Sequence, residues 1–290
     1  MSSSIDRQKG GRAIQKIMKK IKMIAIDLDG SLLTSNKELS SYSLKVLQEA
    51  IARGIEIVIA TGRAYRGLPE EIKEIKGIRY VITSNGAKVF EFPAEKILHQ
   101  RNLPKQKALE SLAIFKKYDT LPEVYYHGQG YAPEGMKSSI PRFNPDPAIQ
   151  RYIRDTRVFV PDVWELVDQT VEDLEKAQAH FACLKERKTA WAELAEISGI
   201  TIASSLHYNI EINAGGTNKG ASLLAIGKLL GIAQEEMMGI GDSGNDLALL
   251  RVVGHSVAMG NADEEVKAIA YYVTSTNDED GAAKAIERIL

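Results

Sequence analysis

Four consecutive apolar residues, Met23-Ile24-Ala25-Ile26, run directly into Asp27-Leu28-Asp29-Gly30. An apolar run this short reads as a strand buried on both faces, the kind found in parallel sheets. Parallel strands need crossover connections, so the surrounding chain is constrained to alternate strands with helices. It does so. Residues 41–53 carry Leu44, Leu47 and Ile51 three and four apart, and Gly54 stands where a helix would stop. Residues 55–60 form a second, β-branched strand pattern ending at Thr61-Gly62-Arg63. A charged helical stretch over 64–76 leads to Tyr80-Val81-Ile82, which ends at Ser84-Asn85-Gly86.

The pattern returns near the C-terminus. A helix is expected over 218–230, with Leu223, Ile226 and Leu230 on one face, and a strand over 237–240 ending at Gly241-Asp242. Further helices are expected over 246–253, 263–270 and 281–289, alternating with strands over 255–259 and 271–274. The expected fold is α/β, a doubly wound, Rossmann-like parallel-sheet core. Residues 88–215 differ: they hold eight of the nine prolines and both tryptophans. Strand candidates there, Glu123-Val124-Tyr125-Tyr126 and Asn209-Ile210-Glu211-Ile212, fit an antiparallel sheet. The economical division is a core from 23–87 and 216–290 interrupted by an α+β cap domain over 88–215, long enough to be a domain of its own.

Composition bounds the rest. The hydrophobic content of 44% supports a packed core without disulfides, and the lone Cys183 can form none internally, which fits a reducing cytoplasm. Residues 1–22 hold seven Lys/Arg and one acid, a charge of +6 that leaves −7 on the remainder. That segment is expected to be a basic, disordered tail. It has no aromatic residue for base stacking and the body is acidic, so a nucleic-acid partner is not expected. No run of 18 apolar residues exists, so no membrane partner is expected either.

Acid clusters recur at strand ends. Asp27 and Asp29 end one strand; Asp242 and Asp246, in Gly241-Asp242-Ser243-Gly244-Asn245-Asp246, end a late one. In such sheets, strand ends distant in sequence meet at one crevice. Several carboxylates there, with five scattered histidines and no thiol partner, select a hard, oxygen-preferring cation, and Mg²⁺ leads. Thr61 offers a hydroxyl, Gly62 permits close backbone approach at a helix start, and Lys219 opens the 218–230 helix; all three suit a phosphate. A carboxylate facing a phosphate dianion about 4 Å away meets roughly 4 kcal/mol of repulsion per charge pair at an effective dielectric near 20. A cation between them removes that barrier.

The ordered strings Asp27-Leu28-Asp29-Gly30-Ser31-Leu32-Leu33, Thr61-Gly62-Arg63, Ser84-Asn85-Gly86-Ala87, Thr217-Asn218-Lys219-Gly220, Gly241 to Asp246, Met259-Gly260-Asn261-Ala262 and Thr276 to Gly281 resemble those of the haloacid dehalogenase superfamily, specifically its Cof-type, subfamily IIB hydrolases. The resemblance covers 23–290 and places a mobile cap at the insert. It implies that Asp27 is the nucleophile that forms an aspartyl-phosphate and that Asp29 is the general acid and base. Thr61 and Lys219 would hold phosphoryl oxygens, and Gly30 and Gly62 would present backbone N–H groups. Asp242 would ligate Mg²⁺ with the Asp27 side chain and the Asp29 carbonyl. Asp246 would complete or support that shell, and Asn245 the phosphate or the metal shell. Arg63 and Asn85 are candidate substrate contacts. Ser31 stands where Thr is usual, keeping the hydroxyl, and the acid at position 29 favours phosphate transfer over dehalogenation.

The expected activity is Mg²⁺-dependent hydrolysis of a small phosphorylated metabolite, a sugar phosphate or phosphorylated cofactor, by a monomer or homodimer. Two alternatives share the core: a phosphomutase that shields its aspartyl-phosphate from water, and a catalytically idle phospho-ligand-binding regulator. Tyr125, Tyr126, His127, Tyr131, Arg142 and Arg151 are the cap residues that could select the leaving group.

Overall fold

The computed structural model describes residues 20–290. Residues 1–19 of the basic segment lie outside the described residues. Ile21 already packs in the core, and Lys22 pairs with Glu236 at 2.8 Å, so the folded body starts before Met23.

Six parallel strands lie side by side in the order Tyr272–Val273, His255–Ala258, Met237–Gly241, Met23–Ile26, Glu56–Ala60, Tyr80–Thr83. Period-two alternation splits their side chains between two cores. Ile24, Ile26, Ile57, Ile59 and Val81 enter one, while Met23, Ala25, Val58, Ala60 and Ile82 enter the other. Burial on both faces explains the unbroken apolar runs.

Two expectations need correction. The helix expected over 64–76 is reduced to one helical turn, Glu70–Lys73, after a short 3₁₀ segment. Pro69 carries no amide hydrogen and its ring clashes with the preceding turn, so a helix cannot run through it and starts there instead. The insert also begins later than residue 88. Lys88–Glu91 and Lys96–Gln100 form an antiparallel hairpin on the edge of the core sheet. Ser84, Asn85 and Gly86 take φ of +49°, +59° and +102°, and this left-handed run reverses the chain so that the next strand pairs back onto Tyr80–Thr83. Local pattern alone does not separate such an edge hairpin from the start of an antiparallel domain.

The insert is built on a six-stranded sheet in the order Ile200–Ala203, Asn209–Ala214, Lys176–Phe181, Thr120–Tyr126, Gln129–Pro133, Arg157–Val160. All neighbours are antiparallel except the last pair. Ala177, Ala179, Phe181, Val124, Ile210 and Ile212 point to one face, into a core shared with helices Lys105–Phe115, Val163–Gln169 and Leu184–Ala195. The intervening residues on the opposite face are polar and yet buried: Glu123, Lys176, Gln178, His180, Asn209 and Glu211. A buried polar sheet face needs partners. It finds them within itself and on the core.

Candidate active site

Asp27 directly follows the strand Met23–Ile26, and sheet register determines its neighbours. Ile26 stands opposite Ile240 on one side and Ile59 on the other, and the Asp27 N–H donates to the Ile240 carbonyl at 3.0 Å. Asp27 therefore emerges between the loops that follow Gly241 and Ala60. Lys219 arrives from another direction, as the first residue of the helix Lys219–Leu230, whose N-cap Asn218 accepts from the Ala221 N–H. Its ammonium is fully buried and donates to Asp27 Oδ1 at 2.6 Å, Asp246 Oδ1 at 2.7 Å and Asn245 Oδ1 at 3.3 Å.

Asp246 is committed on both oxygens, since its Oδ2 accepts the N–H groups of Asp242 and Ser243. Asp242 accepts from Ser31 Oγ at 3.1 Å. Gly30, at φ +84°, lets the Asp242 carboxylate approach; a Cβ there would collide with it. One oxygen from each of Asp27, Asp242 and Asp246 lies within 4.8 Å of the others. Burial pushes the Asp27 carboxyl up to about 7 despite Lys219, and Asp246 and Asp29 add to the rise. Burial also raises Asp242 well above the carboxylate range, with Asp27 and Asp246 contributing.

Three carboxylates against one ammonium leave a deficit of positive charge. The donor set is all oxygen, with Asp27 and Asp242 each keeping an oxygen outside the bonds described. This set fits a hard divalent cation such as Mg²⁺ and not zinc.

Asp29 is placed differently. Its carboxylate points away from the acid cluster to Arg63, which grips it in two bonds (Nε to Oδ2 and Nη2 to Oδ1, both 2.7 Å), and Lys37 adds a third contact at 3.0 Å. Burial favours its neutral form, but Arg63 and Lys37 outweigh that and hold it far below its ordinary value. The Asp29 side chain takes no part in the acid cluster, and the expected contribution of Asp29 to a cation is its backbone carbonyl alone. Arg63 likewise holds an acid and stacks on the Tyr152 ring, 4.4 Å from its centroid.

Thr61 and Gly62 line the cleft beside Asp27. The Thr61 hydroxyl accepts the Arg63 N–H at 3.1 Å, leaving its own hydrogen for another acceptor. Asn85 Oδ1 accepts from Asn245 at 3.1 Å, and Asn85 Nδ2 donates to Glu211 of the insert at 2.6 Å. A Cβ on Gly62 would sit 2.9 Å from that Asn85 oxygen, so the absent side chain there makes room for the network. The expected residues are thus assembled at one edge, and the insert closes over them to leave a cleft between core and cap.

A family model for haloacid dehalogenase-like hydrolases matches residues 24–286. The chain belongs to that family. Phosphatase YwpJ of Bacillus subtilis (strain 168) is 32% identical across 93% of this chain and the whole of its own length. The 5-amino-6-(5-phospho-D-ribitylamino)uracil phosphatase YcsE of the same organism is 31% identical, covering 92% of this chain and 94% of its own. A solved subclass IIB sugar phosphatase of the superfamily superposes with a TM-score of 0.79 at 28% identity, over 93% of this chain and all of its own. This haloacid dehalogenase-like hydrolase is accordingly a phosphoric monoester hydrolase of the Cof-type, IIB kind, with a Rossmann-like core and an inserted cap.

Among the cap residues singled out in the sequence of this hydrolase, only Tyr125 lines the cleft. His127 pairs with Glu172, Arg142 with Asp119, and Tyr131 packs against the cap core. The residues that do line the cleft from the cap include Tyr152, Arg157, Lys176, Gln178 and His180. For Lys176, Gln178 and His180 the signal was the alternation Lys176-Ala177-Gln178-Ala179-His180-Phe181, in which apolar residues mark one face and hydrogen-bonding groups the other. Among the described residues no helix is long and apolar enough to cross a membrane.

Proposed function

We propose that this protein is a Mg²⁺-dependent phosphatase that hydrolyses a small phosphorylated metabolite, a sugar phosphate or phosphorylated cofactor, through an aspartyl-phosphate on Asp27. The observation that carries the reading is the buried Lys219 bridge between Asp27 and Asp246, with Asp242 alongside, at a sheet edge opening into the cap-covered cleft. Asp27, Asp242 and the Asp29 carbonyl would hold the cation, which supplies neutralisation of the carboxylate–phosphate repulsion and a template for the phosphoryl oxygens. Asp246 supports that shell by fixing Lys219 and the loop amides of Asp242 and Ser243.

Lys219, the Thr61 hydroxyl and the backbone N–H groups of Gly30 and Gly62 receive phosphoryl oxygens, with Asn245 beside them. A free Asp27 oxygen attacks phosphorus; the bond to the leaving oxygen breaks, and that oxygen takes its proton from Asp29. A water then attacks the aspartyl-phosphate and gives a proton to Asp29, releasing phosphate and restoring both carboxyl groups. The grip of Arg63 and Lys37 keeps Asp29 ionised, as the hydrolytic half requires; the acid step requires Asp29 to loosen from that grip and take up a proton before the leaving oxygen departs. YcsE is named for a phosphorylated ribitylaminouracil and the structural neighbour for sugar phosphates; both names support a small phosphorylated metabolite as substrate here.

A screen of sugar phosphates, nucleotides, flavin mononucleotide and pyridoxal phosphate, scored by inorganic phosphate, tests this. Stoichiometric phosphate is expected. Isomerised sugar phosphate without phosphate release would favour a mutase instead.

A further inference from the structure

The cap half of the cleft carries cations, and each is matched by a carboxylate. Arg157 uses each of its three nitrogens inside the cap: Nε on Glu123 at 2.9 Å, Nη2 on the Tyr125 hydroxyl at 2.6 Å and Nη1 on the Thr156 hydroxyl at 2.7 Å. The Tyr125 hydroxyl in turn donates to Glu123 at 2.7 Å. Lys176 donates to Glu211 at 2.9 Å and lies over the Tyr125 ring, 4.4 Å from its centroid. Each of these four charged side chains is less than a tenth exposed.

His180 adds no charge. Gln178 Nε2 donates to Glu123 at 2.7 Å, which fixes the amide orientation, and the same nitrogen lies 3.1 Å from His180 Nε2. Burial holds His180 below its ordinary value, and with the Gln178 donor facing it Nε2 accepts as a neutral imidazole, while Glu123 Oε1 lies farther off at 3.7 Å. Among the cleft's other cationic groups, Arg63 is committed to Asp29. The rest of the cap wall is aromatic, aliphatic or neutral, with Tyr152, Ile149, Ile153, Leu206, Ser205 and Asn209.

We infer that this cleft selects phosphomonoesters whose leaving group is uncharged, a neutral polyol or ring alcohol, and rejects substrates bearing a second anionic group. The inference rests on the phosphatase reading and deepens it. A second phosphate or a carboxylate under the cap meets no uncompensated cation. To gain one it must take Arg157 from Glu123 or Lys176 from Glu211, leaving a buried carboxylate unpaired, and that is the costly half of breaking a buried ion pair. A hydroxyl or ring amide meets neutral donors, acceptors and aromatic faces at no such cost.

Matched pairs read this directly: sorbitol 6-phosphate against 6-phosphogluconate, glycerol 3-phosphate against 3-phosphoglycerate, and fructose 6-phosphate against fructose 1,6-bisphosphate. p-Nitrophenyl phosphate serves as the common reference. The neutral member of each pair is expected to have kcat/KM about 100-fold or more above its anionic partner. Where neither turns over, the same order is expected in inhibition of p-nitrophenyl phosphate hydrolysis. Ser205→Lys adds one positive charge to the wall, whether the new ammonium faces the ligand or takes Glu211 from Lys176, and should narrow the ratio at least tenfold. Hydrolysis of p-nitrophenyl phosphate with anionic members equal or preferred would overturn this inference alone. No phosphate from any ester in the presence of Mg²⁺ would overturn the phosphatase reading and this inference with it.

Discussion

Lys219 is fully buried with Asp27 at 2.6 Å and Asp246 at 2.7 Å, and the two carboxylates do different work. Asp246 also receives two loop amides, so Asp246→Ala strips a buried ammonium of one partner and orphans two N–H groups. We expect stability to fall by about 3–5 kcal/mol, measured by urea unfolding. An unchanged midpoint would show that Asp246 does not anchor Lys219. Asp27→Asn keeps the volume and an acceptor for Lys219 while removing one of three mutually repelling charges. Turnover should drop by about 10⁴-fold or more, whereas the metal-free protein should unfold no earlier than wild type. Wild-type phosphate release by that variant would refute the nucleophile assignment. Asp27, Lys219, Asp242 and Asp246 were legible in the sequence because each closes a strand or opens a helix in a distinctive string. Where the Asp29 carboxylate points was not legible, since it depends on an Arg63 side chain whose direction no local pattern encodes.

The cap helix Pro147–Thr156 reaches the core through Tyr152, whose ring is flanked by Arg63 at 4.4 Å and by Arg157 at 4.8 Å. Arg63 holds Asp29, so this helix positions the proposed proton-transfer residue without touching it. Stacks of this kind are worth about 0.5–2 kcal/mol. Tyr152→Ala should therefore lower kcat/KM for p-nitrophenyl phosphate by about tenfold, while Tyr152→Phe, which keeps the ring, should stay within a few-fold of wild type. Equal losses in both variants would assign the effect to the hydroxyl instead. Elements whose ends carry their own chemistry were readable in advance: Asn218 and Gly231 bound the helix that delivers Lys219. The stretch 64–76 was not, because its charged periodicity outlasts the break made by Pro69. Nor was the hairpin over 88–100, whose place on the core sheet depends on the left-handed backbone at Ser84 to Gly86.

At the scale of the whole molecule the acid cluster links folding, pH and the cation. In the metal-free protein burial raises Asp27 to about 7, and Asp242 moves the same way. In the unfolded chain both are ordinary carboxylates near 4. Between about pH 4 and pH 7 the folded state thus keeps protons that the unfolded chain has released, and stability falls as pH rises, by about 1.4 kcal/mol per pH unit for each proton kept. Asp29 has the opposite sign, but its depressed value puts its loss below this window. His180, buried and neutral, opposes the fall below its ordinary value of 6.5. Comparing protein in Mg²⁺ with protein in EDTA at each pH removes both, because neither group belongs to the acid cluster. Cation binding requires the cluster deprotonated, so the difference in Tm between the two buffers should widen steadily from pH 5 to pH 8. EDTA should abolish phosphate release over the same range and Mg²⁺ should restore it. Asp242→Asn should flatten the Tm difference at every pH. A difference that is independent of pH in wild type, or that survives in Asp242→Asn, would place the cation somewhere other than this cluster.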